Sequence, residues 1–225
     1  LISAFSCYLS RMTGREDVLV NIPVSARTTA PLQRSGGMLV NVAPLHITVR
    51  PDDTVGDLVG RVQLELVGAL RHQRCSLEDI RRDAGLAGAA GALAGPLVNV
   101  MLFHQEITLG DLVGEYEIVT SGPVDDLLVN FYQSGGSART FVDFRGNPDR
   151  YDTEELRAHH RWFVELVEEF TVADRSARVG DLHTDSAHEG ERIRRAGEVV
   201  EFWQRTLAGA PEAIALPFDR SYPSD

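Results

Sequence analysis

Histidine is the side chain best suited to move protons near neutral pH, and this chain has seven. Two are adjacent, His159-His160, in the run HHRWFVE. Neighbouring side chains on a helix point ~100° apart, so these imidazoles cannot converge on one substrate atom; they are expected on the surface of a helix. His72 stands near Cys75 in LRHQRCSLEDI. Nothing in that run would orient its imidazole toward the thiol, as a Cys/His dyad requires. His72, Cys75, Glu78 and Asp79 carry metal-ligand atoms, but no second cluster completes a tetrahedral set. Arg27 closes the run VLVNIPVSAR and opens a loop, where a guanidinium can fix a carboxylate through two parallel hydrogen bonds. The SGGS at 134–137 lies between strand-like runs with no helix to receive a phosphate, and it reads as a hairpin turn. GxSxG, P-loop and GxGxxG sequences are absent. No residue is therefore assigned as a catalytic group or a metal ligand.

The elements that would carry these residues follow from periodicity. Leu1, Ala4, Phe5, Tyr8, Leu9 and Met12 repeat at helical spacing, with Gly14 as a natural end. VLVNIPV and MLVNVAPLHITV read as strands on either side of a Ser/Thr/Pro/Gly-rich loop at 25–37. The PDDT at 51–54 starts a long helix whose Val55, Leu58, Val59, Val62, Leu66 and Leu70 share a face, and SLED at 76–79 starts a short one. The Ala/Gly-rich 86–96 reads as loop. Strands are then expected over 97–104, 115–121, 125–133 and 138–145, and a helix capped by Asp152 or Thr153 over 153–170. Residues 173–197 are polar and at first aperiodic, as a linker would be, and a further helix is expected over 198–207 before a Pro-rich, extended end. The fold class is α/β: a mixed sheet covered by helices.

A chain of 225 residues, 43% of them hydrophobic, can build one sizeable core. Its formal charge of −11, from 33 acidic against 22 basic residues, opposes nucleic acid and anionic membranes as partners. No apolar run approaches the ~20 residues of a membrane span. Cys7 and Cys75 are the only cysteines, which argues against a disulfide framework and fits a reduced cytoplasm. Leu1 opens inside a helical pattern without Met or a basic leader, so the start reads as cut from something longer.

The stretch NIPVSARTTAPLQRSGGMLVNVAPLHITV at 21–49 resembles the "pvagR…pG.fvN.lPLR" region of nonribosomal peptide synthetase condensation domains. Arg27, Gly37, Asn41, Pro44 and Leu45 stand in the family's places, and His46 stands where an arginine is usual. His72-Gln73 match the family's "HQ.yp.e" segment. GPLVNVMLF, SGPVDDLLVNFY and FRGNPDRYDTEELRAH continue the likeness in order through about residue 172. The resemblance implies a chloramphenicol-acetyltransferase-like lobe, the C-terminal one of two that form a V around the active site. It further implies Arg27 and Asn41 as active-site scaffold, Asn99, Met101, Ser121 and Gly122 as tunnel lining, 28–37 as the floor loop and part of 107–126 as a latch onto the other lobe. Substrates would ride on the phosphopantetheine of carrier proteins, with no cofactor held by the chain. Partners would be the N-terminal lobe, peptidyl or acyl carrier proteins and an adjacent adenylation domain. The family's catalytic HHxxxDG occurs nowhere in the chain; after His159-His160, Val164 and Glu165 stand where Asp and Gly belong. EFWQRTLAGAPEAIALPFDRSYPSD, the end of the chain, resembles the sequence that closes the N-terminal lobe, so the order is permuted: a rearranged or engineered chain, joined segments, or the start of another condensation unit. Two functions follow as expectations, one half of an amide-forming acyltransferase inactive alone, or a non-catalytic docking module for carrier or neighbouring domains.

Overall fold

Strand-forming runs with apolar residues at every second position pair into one five-stranded sheet, in the order β2-β1-β3-β6-β7. The computed structural model describes residues 1–83, 95–102, 107–114, 122–133 and 139–182. The strands are β1 (Asp17–Val24), β2 (Asn41–Thr48), β3 (Leu97–Met101), β6 (Leu127–Gln133) and β7 (Thr140–Gly146), with a separate hairpin of β4 (Ile107–Leu109) and β5 (Leu112–Gly114). β1 runs parallel to β3 and β3 to β6, while β2 and β7 are antiparallel edge strands. The sheet is therefore mixed, as the sequence led one to expect.

One face of this sheet carries Val20, Ile22, Leu45, Ile47, Val98, Val129 and Phe131, all buried. Onto it pack α1 (Ile2–Thr13), α3 (Val55–Arg71) and α5 (Thr153–Val172). α1 is buried nearly all round, and two of its buried hydroxyls are satisfied locally: Ser6 donates to the Ile2 carbonyl (2.9 Å) and Thr13 to the Leu9 carbonyl (2.7 Å). It ends at Gly14 in the left-handed conformation, φ 65°. α3 and α5 each start with a reciprocal capping box, Thr54 with Asp57 and Asp152 with Glu155. Phe163 of α5 lies edge-on or tilted against Phe5, Tyr8, Phe131 and Phe144 at ring distances of 5.5–5.7 Å, so it joins two helices to two strands. The short α4 (Leu77–Asp83) follows α3.

Three features differ from the sequence reading. The loop at 25–37 contains a one-turn helix, α2 (Ala30–Arg34), with Pro31 in its first turn, where a fixed φ favours helix. β2 begins at Asn41 rather than at 38, because its last partner on β1 is Val24 and Met38 and Val40 face solvent. The expected linker at 173–197 is docked over its first part. The Ala177 and Arg175 carbonyls accept the amides of Val55 and Gly56, the first-turn donors of α3 that lack helical partners. Val179 and Leu182 are buried, and Arg11 donates to both their carbonyls (2.8 and 2.7 Å). Neither a polar composition nor the lack of a period signals such a strap, since backbone groups and one arginine make most of its bonds. The sequence-stretch expectations for 115–121, 183–197 and 198–225 fall outside the described residues.

Candidate functional site

Parallel strands direct their carboxyl ends to one edge of a sheet, the usual place for a ligand crevice in α/β folds. Here β1, β3 and β6 share such an edge. From the end of β1 emerges the loop at 25–40, and Met38, Val40, Val100 and Leu102 stay exposed along the rim.

Within the loop Arg27 is half-buried and turned inward. Its guanidinium donates to the carbonyls of Leu32 (2.6 Å), Ser35 (2.7 Å) and Gly37 (2.8 Å). It closes the loop around itself and, among the described residues, holds no carboxylate. The fork geometry expected for a carboxylate serves equally well for carbonyls gathered by one short helical turn. Ala26, just before it, has φ 51°, uncommon for a residue with a β-carbon. The Ala26 amide donates to the Gln73 side-chain oxygen (3.0 Å). Asn41, at the far end of the loop, donates through Nδ2 to the main-chain carbonyls of Gln73 (2.9 Å) and Cys75 (2.6 Å). Asn41 is thus a backbone tie in this structure, with its amide turned toward the end of α3.

Across the second face of the sheet Asn99, Asn130 and Asp143 occupy one register row. Asn99 donates to the Asn130 side-chain oxygen (3.3 Å), and the Tyr132 hydroxyl donates to Asp143 (3.2 Å), which also faces Arg145 at 3.6 Å. Met101 sits opposite Tyr132. Asn99 and Met101 therefore share one face. Gly122 lies elsewhere, ahead of the amino end of β6 and with φ 79°, and Ser121 is outside the described residues.

The paired histidines are half-buried rather than freely exposed. His159 Nδ1 and the Tyr8 hydroxyl share a hydrogen bond (2.5 Å), and the His159 ring lies edge-on to Tyr151 and Trp162. His160 donates from Nε2 to the Val142 carbonyl (3.1 Å) and packs edge-on to Phe144. The ~100° between neighbours sends one ring toward α1 and the other toward β7, so each is a packing residue. Burial, then the charges of Asp79 and Asp83, push the Cys75 thiol above the ordinary range, which disfavours the thiolate. Among the described residues no group of three His, Cys, Asp or Glu is placed to hold a metal, and no helix is long and apolar enough to cross a membrane.

Sequence reasoning missed two polar centres, one half-buried and one almost fully buried. Gln73 was visible only as part of a motif, because no local pattern announces a contact 47 positions away in sequence. Asp126 is almost fully buried at the start of β6, where Oδ1 accepts from the Tyr151 hydroxyl (3.1 Å) and from Arg150 (3.3 Å). Burial raises its carboxyl against the opposing pull of Tyr151 and Arg150. In sequence it is one of two consecutive aspartates, Asp125-Asp126, which nothing local distinguishes.

With this geometry in hand, comparison with known proteins is specific. The family model described as "Condensation domain" matches residues 1–194. The isonitrile lipopeptide synthase of Streptomyces coeruleorubidus is 32% identical over 83% of this chain and 13% of its own length. Enterobactin synthase component F of Escherichia coli K12 is 29% identical over 93% of this chain and 16% of its own. The chain thus spans well under a quarter of these relatives. Among solved structures, the first condensation domain of the calcium-dependent antibiotic synthetase, in complex with a substrate analogue, superposes with a TM-score of 0.71 and 34% identity, over 81% of this chain and 40% of that one. The starter condensation domain of rhizomide synthetase RzmA gives 0.70 and 33%, over 81% and 44%.

Proposed function

This chain belongs to the condensation-domain family of nonribosomal peptide synthetases and has its chloramphenicol-acetyltransferase-like α/β fold, and from that premise we propose that it is the C-terminal lobe of an amide-forming condensation enzyme. The observation that carries the reading is a division of parts. The chain holds the family's arginine-bearing loop, yet HHxxxDG occurs nowhere in its 225 residues. The lobe supplies shape: the carboxyl edge of β1, β3 and β6, the loop closed by Arg27, and the Asn99–Asn130 row form wall and floor for substrates. It orients them and excludes water, while the imidazole that takes the amine proton comes from an N-terminal lobe outside this sequence. Donor and acceptor arrive as acyl and aminoacyl thioesters on the phosphopantetheine of carrier proteins, and an adenylation domain loads the carrier. The exposed Met38 and Val40 beside Arg27 suit contact with the second lobe. By resemblance, residues 198–225 are a displaced segment of that N-terminal lobe.

The test uses aminoacyl-loaded carrier proteins and a separately expressed N-terminal lobe bearing HHxxxDG. The chain alone is expected to form no amide, since a positioned general base contributes about 10²–10⁴-fold in rate. Product should form when both lobes are present, and Arg27→Ala should weaken the complex far more than Arg139→Ala. Condensation by the chain alone, abolished by His72→Ala or His160→Ala, would overturn the assignment in favour of a self-sufficient enzyme. Carrier binding without product in any combination would favour a docking module.

A further inference from the structure

The two ends of the loop at 25–40 meet the same short turn at the end of α3. The leading end is tied by the Ala26 amide donating to Gln73 Oε1 (3.0 Å), and the trailing end by Asn41 Nδ2 donating to the carbonyls of Gln73 (2.9 Å) and Cys75 (2.6 Å). Gln73 is itself oriented, because its Nε2 donates to the Leu70 carbonyl (2.9 Å) in the last turn of α3. The donor it receives comes from a residue at φ 51°. A β-carbon crowds the backbone there, so alanine stays left-handed only where surrounding bonds hold it. This one reversal bends the chain off the line of β1 and turns the Arg27 side chain back over its own loop, within reach of the Leu32, Ser35 and Gly37 carbonyls. An extended residue at position 26 would carry Arg27 onward past the sheet edge.

We propose that Gln73 is the positioning residue of this loop: its carboxamide holds Ala26 in the left-handed turn and so aims the Arg27 guanidinium. The importance of that aim for catalysis rests on the reading above, whereas the positioning itself does not. Gln73 touches no substrate in this scheme; it acts through Arg27, and Asn41 acts by fixing the turn that bears Gln73.

The experiment reads Arg27 directly in the full chain. Nitrogen-15 spectra of the guanidinium separate its two Nη groups when hydrogen bonds slow their rotation, and amide hydrogen exchange follows Ala26 and Ser35. In the unaltered chain Arg27 should give split, slow Nη signals and a protected Ala26 amide. Gln73→Met, of similar length but without a strong acceptor, should merge those signals. It should also speed exchange at Ala26 about ten-fold, as the loss of one ordinary hydrogen bond would, while the amides of Val20 and Leu45 stay as they were. Gln73→Glu keeps an acceptor but gives up the Nε2 donor to the Leu70 carbonyl, so it should recover both readouts only in part. Ala26→Pro removes the donor from the other side, in a half-exposed segment, and should loosen the loop as Gln73→Met does; it decides the matter if Gln73→Met fails to fold. Unchanged Arg27 signals in Gln73→Met or, failing that, in Ala26→Pro would overturn the proposal. Failure of the condensation reading would appear instead in the two-lobe assay, with these signals unaffected.

Discussion

Leu182→Ala asks whether the strap after α5 belongs to the lobe. Leu182 is 5% exposed and closes a turn whose other anchors are the buried Val179 and the two Arg11 hydrogen bonds. Truncating a buried leucine to alanine costs about 2–5 kcal/mol. Here the strap can peel back from its end while the carbonyls of Ala177 and Arg175 still hold the first amides of α3, and such local release limits the loss to the lower end, about 2 kcal/mol. For a domain of this size that corresponds to a fall of roughly 4–8 °C in Tm. Urea unfolding followed by circular dichroism at several probe wavelengths would measure it. Arg11→Ala acts on the same turn, so the double variant should depart from additivity by about 0.5 kcal/mol or more. A loss under about 0.5 kcal/mol, typical of surface positions, together with strict additivity, would refute the argument and return residues 174–182 to the status of linker.

Three further outcomes follow from single sites. Phe163→Ala should cost about 3–5 kcal/mol, because its fully buried ring touches four other aromatic rings; denaturant titration checks this, and a loss below 1.5 kcal/mol, on the order expected for a conservative apolar swap, would contradict the packing described. Gly95→Ala should destabilise by about 1–3 kcal/mol, since a β-carbon there would lie 2.8 Å from the Leu19 carbonyl oxygen; faster exchange of the Asn21 amide, which donates to Pro96 (2.9 Å), would report the parting of β1 from β3. Asp126 has its folded pKa raised by burial, so its contribution to stability is full below the unfolded carboxyl value and is lost as pH rises through the folded one. Asp126→Asn should therefore gain on the unaltered protein as pH rises from about 4 to 7, near and above the unfolded carboxyl range; a difference constant across that window would show that the carboxyl is not shifted upward.

Much of the architecture was legible without coordinates because it rests on local repetition. The period of apolar residues placed β1 to within a residue at its start and α5 from the residue at which it begins, and Gly14 marked the end of α1 because only a left-handed residue closes that helix. β2 and β3 proved shorter than their apolar runs. A strand lasts only as long as it has a partner, and hydrophobicity extends beyond the pairing.

The site divides along the same line. The sequence alone picks out Arg27 and Asn41, by their place in a family-like run, and shows that HHxxxDG does not occur in its 225 residues; each is a matter of residue type and order. Tertiary structure alone decided that Arg27 grips three carbonyls of its own loop, that Asn41 and Gln73 tie both ends of that loop to one turn, and that His159 and His160 point into different layers of packing. These are contacts of backbone groups and of residues far apart in the chain. Every residue type carries the same carbonyl and nearly every one the same amide, so a sequence cannot say which will be met until the sheet and its helices have brought them together.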